Sequence, residues 1–103
     1  MEGLELTCFQ IISAVGTARS MYIEAIQEAK AGNIDRARQI VKEGEDIFVE
    51  GHKAHAGLIQ QEASGDKVDV QLLLLHAEDQ LMSAEAFKII ANEFIDLYEK
   101  INS

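Results

Sequence analysis

Apolar positions along the chain recur at alternating steps of three and four, the spacing of one helix face. From Leu4 the series runs Leu4, Cys8, Ile11, Val15, Ala18, Tyr22, Ala25 and Ala29. A second set, Leu6, Phe9, Ile12, Met21 and Ile26, widens that stripe. The pattern predicts a first helix over about residues 4–31. Ala31-Gly32-Asn33 interrupts it, with Gly32 suited to end a helix and Asn33 suited to cap the next. The second helix is expected over 34–63, with a seam of Ile34, Ala37, Val41, Gly44, Phe48, Gly51, Ala54 and Leu58. Glycine inside a helix costs about 1 kcal/mol relative to alanine. Two of them seven residues apart on the seam therefore point to close backbone approach.

Ala63-Ser64-Gly65-Asp66-Lys67 is the second break by composition. Asp69 is a candidate N-cap, with Val68 as an apolar staple before it. A third helix is expected over 70–101. Its seam reads Leu72, Leu75, Asp79, Met82, Ala86 and Ile89. Three helices of similar length joined by short turns predict an all-α, antiparallel up-down-up bundle in a single domain, residues 1–103. Their apolar faces are wider than a lone three-helix bundle needs. Such an excess on a soluble protein marks a partner surface, for which symmetric self-association is the economical solution.

Composition narrows the function. The chain has 103 residues, 48% hydrophobic and 26% charged, so it is globular. Its formal charge of −9 argues against nucleic acid and anionic membranes as partners. Its one cysteine, Cys8, excludes an internal disulfide and reads as a small core residue. Acidic residues near Met1 do not resemble a signal peptide, and no apolar run is long enough to span a bilayer. These features predict a cytoplasmic protein without membrane insertion.

The chemistry is concentrated in Leu72-Leu73-Leu74-Leu75-His76-Ala77-Glu78-Asp79-Gln80-Leu81-Met82. Asp79 and Gln80 follow His76 at three and four residues, so all three share one side of a helix. Asp79 stands where the seam calls for an apolar side chain. It is either buried with a partner, shared with its copies about an oligomer axis with protons or a metal ion between them, or hydrated at an open edge. His52 and His55 are three apart on the second helix. That spacing is compatible with a metal pair or a second wall of an active site, and with an ordinary pair, one surface histidine and one bonded to a core polar group; the ordinary pair is the expectation. The Glu-x-x-His repeat of diiron bundles is absent, as are His-Glu-x-x-His, a nucleophile elbow, a phosphate-cradling glycine loop and Cys-x-x-Cys. What remains for His76 is a nucleophilic imidazole, a ligand or a structural role. Gln80 could offer an amide donor to a group carried on the ring.

The segment His76-Ala77-Glu78-Asp79-Gln80-Leu81-Met82 resembles the active-site motif of the lactose/cellobiose-specific enzyme IIA components of the bacterial sugar phosphotransferase system. Almost the whole chain is similar to that family. Phe9-Gln10-Ile11-Ile12-Ser13, Val15-Gly16 and Ala18-Arg19-Ser20 resemble its first helix. Glu24 to Asn33 resemble its first turn, His52-Lys53-Ala54-His55 a stretch of its second helix, and Glu62 to Val68 its second turn. The resemblance implies a homotrimer forming a nine-helix bundle. It implies that His76 accepts a phosphoryl group from the phosphocarrier HPr and donates it to a cysteine of the cognate IIB. The IIC transporter then imports a β-linked disaccharide such as cellobiose or lactose. It also implies that Asp79 and its two copies hold one divalent ion per trimer, Mg2+. Glu78 stands where many members have glutamine, and Gln80 where many have a second histidine. The competing expectations are a non-enzymatic helical adaptor or metal-binding oligomer, and a regulatory IIA paralogue.

Overall fold

The computed structural model describes residues 3–102 and contains three helices: α1 (Gly3–Lys30), α2 (Ile34–Ala63) and α3 (Leu72–Asn102). They run up, down and up in a rod 54 Å long and 24 × 20 Å across. The architecture is the one expected from the apolar periodicity. α1 packs extensively against both α2 and α3, which touch each other far less.

Both helix ends before the turns close in the same way. Gly32 takes φ +92° and Gly65 φ +94°, a conformation that costs glycine little. The amides of Gly32 and Asn33 donate to the carbonyls of Ala29 and Glu28 at 3.0 and 2.8 Å. Those of Gly65 and Asp66 donate to Glu62 and Gln61 at 3.0 and 3.1 Å. This is the doubly bonded glycine stop that satisfies the last carbonyls of a helix. Asn33 occupies the cap position of α2, but its side chain does not cap. Its amide Nδ2 donates 2.8 Å to Glu28 Oε1, back across the turn, instead.

The start of α3 differs from the expectation. Residues 66–71 are not helical, and the helix begins at Leu72 rather than Val70. Asp69 is therefore not its N-cap. The carbonyl of Gln71 accepts the amide of Leu75 and makes the first helical bond. Val68 is buried against the core containing Leu58 and Leu74, so the connecting segment is pinned by an apolar side chain and not by a capping carboxylate.

The core follows the predicted stripe on α1: Cys8, Ile11, Val15, Ala18, Tyr22, Ala25 and Ala29 are all fully buried. Withdrawing an isoleucine such as Ile11 from water is worth about 1.5–3 kcal/mol. Gly44 and Gly51 mark where α2 crosses α1. A Cβ at Gly44 would lie 2.8 Å from Tyr22 Cε1.

α3 corrects the expected seam. The residues facing the other two helices are Leu74, Ala77, Leu81, Ala84, Ala91 and Ile95. The stripe of Leu72, Leu75, Met82 and Ile89 lies on the outside, Leu72 being 81% and Met82 68% exposed. Asp79 and Ala86 lie on the same exposed face. Two stripes with helical spacing share this helix, and the one that sets alanines between Leu74, Leu81 and Ile95 is the one that fits the close three-helix packing.

Candidate functional site

His76 lies in the second turn of α3, between the inward stripe and the outward one. Its imidazole is exposed and makes no hydrogen bond or ion pair among the described residues. Asp79 is exposed and Gln80 half-buried beside it. The helix thus brings the three residues to one side, as their spacing requires, without bonding them to one another. The face is apolar in composition, with Leu72, Leu75 and Met82 bordering the histidine and the carboxylate along α3. An accessible ring with an uncommitted nitrogen is available as a nucleophile or a ligand.

Glu78 points elsewhere. Two residues on from His76 is a step of about 200° around the helix. Its carboxylate meets His55 on α2, with Nε2 to Oε1 at 3.1 Å. His52 is exposed and lies beside the Phe48 ring, 6.2 Å between centroids. The two α2 histidines therefore divide as the ordinary alternative has it, one on the surface and one bonded. The partner of His55 is a half-exposed carboxylate and not a core group.

The helical register brings out contacts that residue spacing within one helix does not reveal. His55 with Glu78, and Glu45 with Lys88 at 3.7 Å, are related by ten residues on both helices, from 45 to 55 and from 78 to 88. That is the antiparallel register of α2 and α3. Arg38 closes the far end, with Nη2 donating to Asp96 Oδ1 at 3.1 Å and Glu99 Oε1 at 2.9 Å. On the opposite side of α3, Arg19 of α1 donates from Nε to Ser83 Oγ at 3.1 Å. Its guanidinium lies 4.7 Å from the centroid of the Phe87 ring. Arg19 thus bridges α1 to the side of α3 that also carries Gln80. A lone arginine at the margin of an apolar stripe was the available signal for it.

Cys8 is buried beneath this end of the bundle. Burial, reinforced by the carboxylate of Glu78, pushes its thiol up, which makes it a poor nucleophile. Among the described residues no group of three or more His, Cys, Asp or Glu side chains is placed to hold a metal ion. Asp79 brings a single carboxylate. No helix among the described residues is long and apolar enough to cross a membrane.

Known proteins resolve the choice between an adaptor and a carrier system. The family model for the lactose/cellobiose-specific IIA subunit of the phosphotransferase system matches residues 6–99. The lichenan-specific phosphotransferase enzyme IIA component of Bacillus subtilis is 42% identical over 97% of this chain and 91% of its own length. The crystal structure of the cellobiose-specific enzyme IIA from Bacillus anthracis superposes with a TM-score of 0.94. The two are 40% identical, with 99% of this chain and 94% of that one covered. IIA(chitobiose), from a solution structure of its complex with HPr in the Escherichia coli N,N′-diacetylchitobiose branch, superposes with a TM-score of 0.85. It is 30% identical, with both chains covered in full. An exposed histidine on a wholly helical three-element scaffold, found with matches that span the chain from end to end, leaves one assignment: the chain belongs to the lactose/cellobiose-specific IIA family and is a phosphotransferase component of phosphorylation-coupled sugar transport.

Proposed function

We propose that His76 is the phosphoryl acceptor, charged by HPr and discharged onto a cysteine of a cognate IIB that serves a IIC transporter. The observation that carries this is the state of the ring: His76 is exposed, uncommitted to any partner among the described residues, and stands at the margin between the inward and outward stripes of α3. A docking protein can close over such a surface and exclude water. In the first step the P–N bond to the donor imidazole breaks as a P–N bond to a ring nitrogen of His76 forms. The donor nitrogen leaves with the bonding pair. In the second step His76 leaves in its turn and a P–S bond forms. Bonds of similar energy are exchanged, so the protein contributes alignment and electrostatics above all. Gln80, one turn along, is the neutral donor nearest in sequence to the transferred group on the same side of α3.

The chain's excess of acidic groups, −9 formally, favours partners with basic rims. The relatives named for lichenan, lactose, cellobiose and chitobiose point to a β-linked disaccharide as the sugar imported. The reaction belongs in the cytoplasm, where HPr works.

The same reading includes a homotrimer. The outward stripe of α3 is large enough and apolar enough to be covered by copies of itself about an axis. Asp79 then meets its two copies. One carboxylate per chain makes no metal site alone, whereas three supply the hard oxygen donors that Mg2+ takes, with water completing the shell. Such an ion would supply positive charge that offsets the facing carboxylates.

The test is phosphorylation by phosphoenolpyruvate with catalytic enzyme I and HPr, followed by intact mass. One acid-labile phosphoryl group per chain, absent from a folded His76→Ala variant, is the expected result. No gain in mass on folded wild-type protein overturns the proposal. Onward transfer to a purified IIB distinguishes a transport component from a regulatory paralogue.

A further inference from the structure

We propose that His55 and Glu78 are positioning residues for phosphoryl transfer: their contact fixes the first turns of α3 against α2 and so sets where His76 stands. This rests on the reading of His76 as the acceptor. His76 sits close to the start of its helix, only four residues after Leu72, and residues 66–71 before it are not helical. Helix starts open locally unless they are tied down. Leu74, Ala77 and Leu81 anchor the inward side. They resist displacement away from the core, and a polar contact on the α2 side adds a restraint on rotation about the helix axis.

α2 and α3 touch less than either touches α1, with Leu58 and Ala54 of α2 joining the apolar cluster of Leu74, Ala77 and Leu81. Among the described residues, the side-chain hydrogen bond that joins α2 to the first turns of α3 is His55 Nε2 to Glu78 Oε1 at 3.1 Å. The next polar link on that seam, Lys88 to Glu45, is ten residues further along α3, or about 15 Å. The His55 side chain is only 19% exposed, so its ring is held between the helices and does not sweep through solvent. Glu78 projects from nearly the opposite side of α3 to His76. A pull on Glu78 toward α2 therefore fixes the angle at which His76 faces outward. It also keeps the Glu78 carboxylate turned away from a dianionic phosphoryl group. Transfer between two imidazoles requires alignment along one line, and small displacements of a reacting group are costly.

The experiment compares wild type, His55→Ala, Glu78→Ala and Glu78→Gln. Three measurements are made: thermal unfolding, amide hydrogen exchange across residues 72–80, and the single-turnover rate of transfer from phosphorylated HPr as a function of donor concentration. Both alanine variants are expected to stay folded, to exchange faster near His76, and to lose about tenfold in limiting rate with little change in half-saturating donor. Glu78→Gln keeps an oxygen acceptor for His55 and is expected to recover to within about twofold of wild type. Limiting rates unchanged in the alanine variants, or a loss shared by Glu78→Gln, overturn the positioning role. Wild type that takes no phosphoryl group overturns the phosphocarrier reading and any role in transfer with it. Hydrogen exchange then still decides whether the contact holds the helix start, because unaltered exchange in the alanine variants refutes the tether by itself.

Discussion

A Cβ added at Gly51 would lie 2.6 Å from Val15 Cγ1, in the middle of the α1–α2 crossing. Alanine there gains about 1 kcal/mol of helix propensity. It must also push two helices apart where Ala14 and the Ile11 carbonyl lie 3.4 Å from the same point. Overpacking of this kind costs about 1–3 kcal/mol, so Gly51→Ala is expected to be destabilising on balance. Gly57 supplies the control on the same helix. Nothing lies within 4 Å of its added Cβ, and Gly57→Ala is expected to raise stability by about 0.5–1 kcal/mol. Denaturant midpoints at a fixed protein concentration measure both, and a stabilised Gly51→Ala would show that the crossing is looser than the geometry says.

Tyr22 packs against Gly44 with its hydroxyl buried and without a hydrogen-bond partner among the described residues. Burial, with a smaller contribution from the carboxylate of Glu45, pushes its phenol up from 10.0 to about 12. The unfolded chain releases this proton near pH 10 and the folded chain near 12. The stabilisation is therefore complete below pH 10 and is lost as pH rises to 12, by about 2–3 kcal/mol. Tyr22→Phe removes both the titration and the unpaired hydroxyl. It is expected to gain about 1 kcal/mol at neutral pH. Its advantage over wild type should widen between pH 10 and 12, and a constant gap would show that the phenol ionises equally in both states.

α1 was legible from its pattern because a single stripe dominates it, and every residue of that stripe from Cys8 to Ala29 is buried. α3 was not, for a physical reason. Periodicity says that a face is apolar, but not what it packs against. Leu72, Leu75, Met82 and Ile89 are larger than the alanines of the inward stripe and so look more like a core. In the three-helix bundle they face out, and Asp79 with them. At the start of α3, Asp69 has the chemistry of a cap but lies outside the helix, and the buried Val68 pins the segment instead. His76 could be singled out from local spacing and family resemblance. The His55–Glu78 contact could not, because it depends on the register of two antiparallel helices, which no window along one helix contains.

Met82 tests the outward stripe as an interface. It is 68% exposed, so Met82→Lys leaves the protomer's own core intact. The variant is expected to retain its helical circular dichroism while sedimenting as a monomer, against a trimer for wild type at the same concentration. If the stripe lies at the proposed three-fold contact, an unpaired ammonium buried there drives the dissociation. A Met82→Lys trimer as stable as wild type would place the contact between copies on another face.

Asp79 separates the metal from the chemistry. If three copies of its carboxylate face one another within an apolar surround, their repulsion is relieved by a bound divalent ion. An ion held by the assembled form and not by separate chains stabilises it by mass action. Removing divalent ions with a chelator should then lower the wild-type melting temperature, and adding Mg2+ should restore it. Asp79→Leu replaces the charges with side chains of the stripe's own kind. It is expected to melt higher than chelated wild type and to ignore both chelator and Mg2+, as charged clusters replaced by apolar residues often do. Phosphoryl acceptance by His76 should survive in the same variant, since the imidazole supplies the nucleophile. A wild-type protein indifferent to chelator and Mg2+ would remove the shared ion from the account, and an Asp79→Leu variant unable to accept phosphate would move Asp79 from the assembly into the reaction itself.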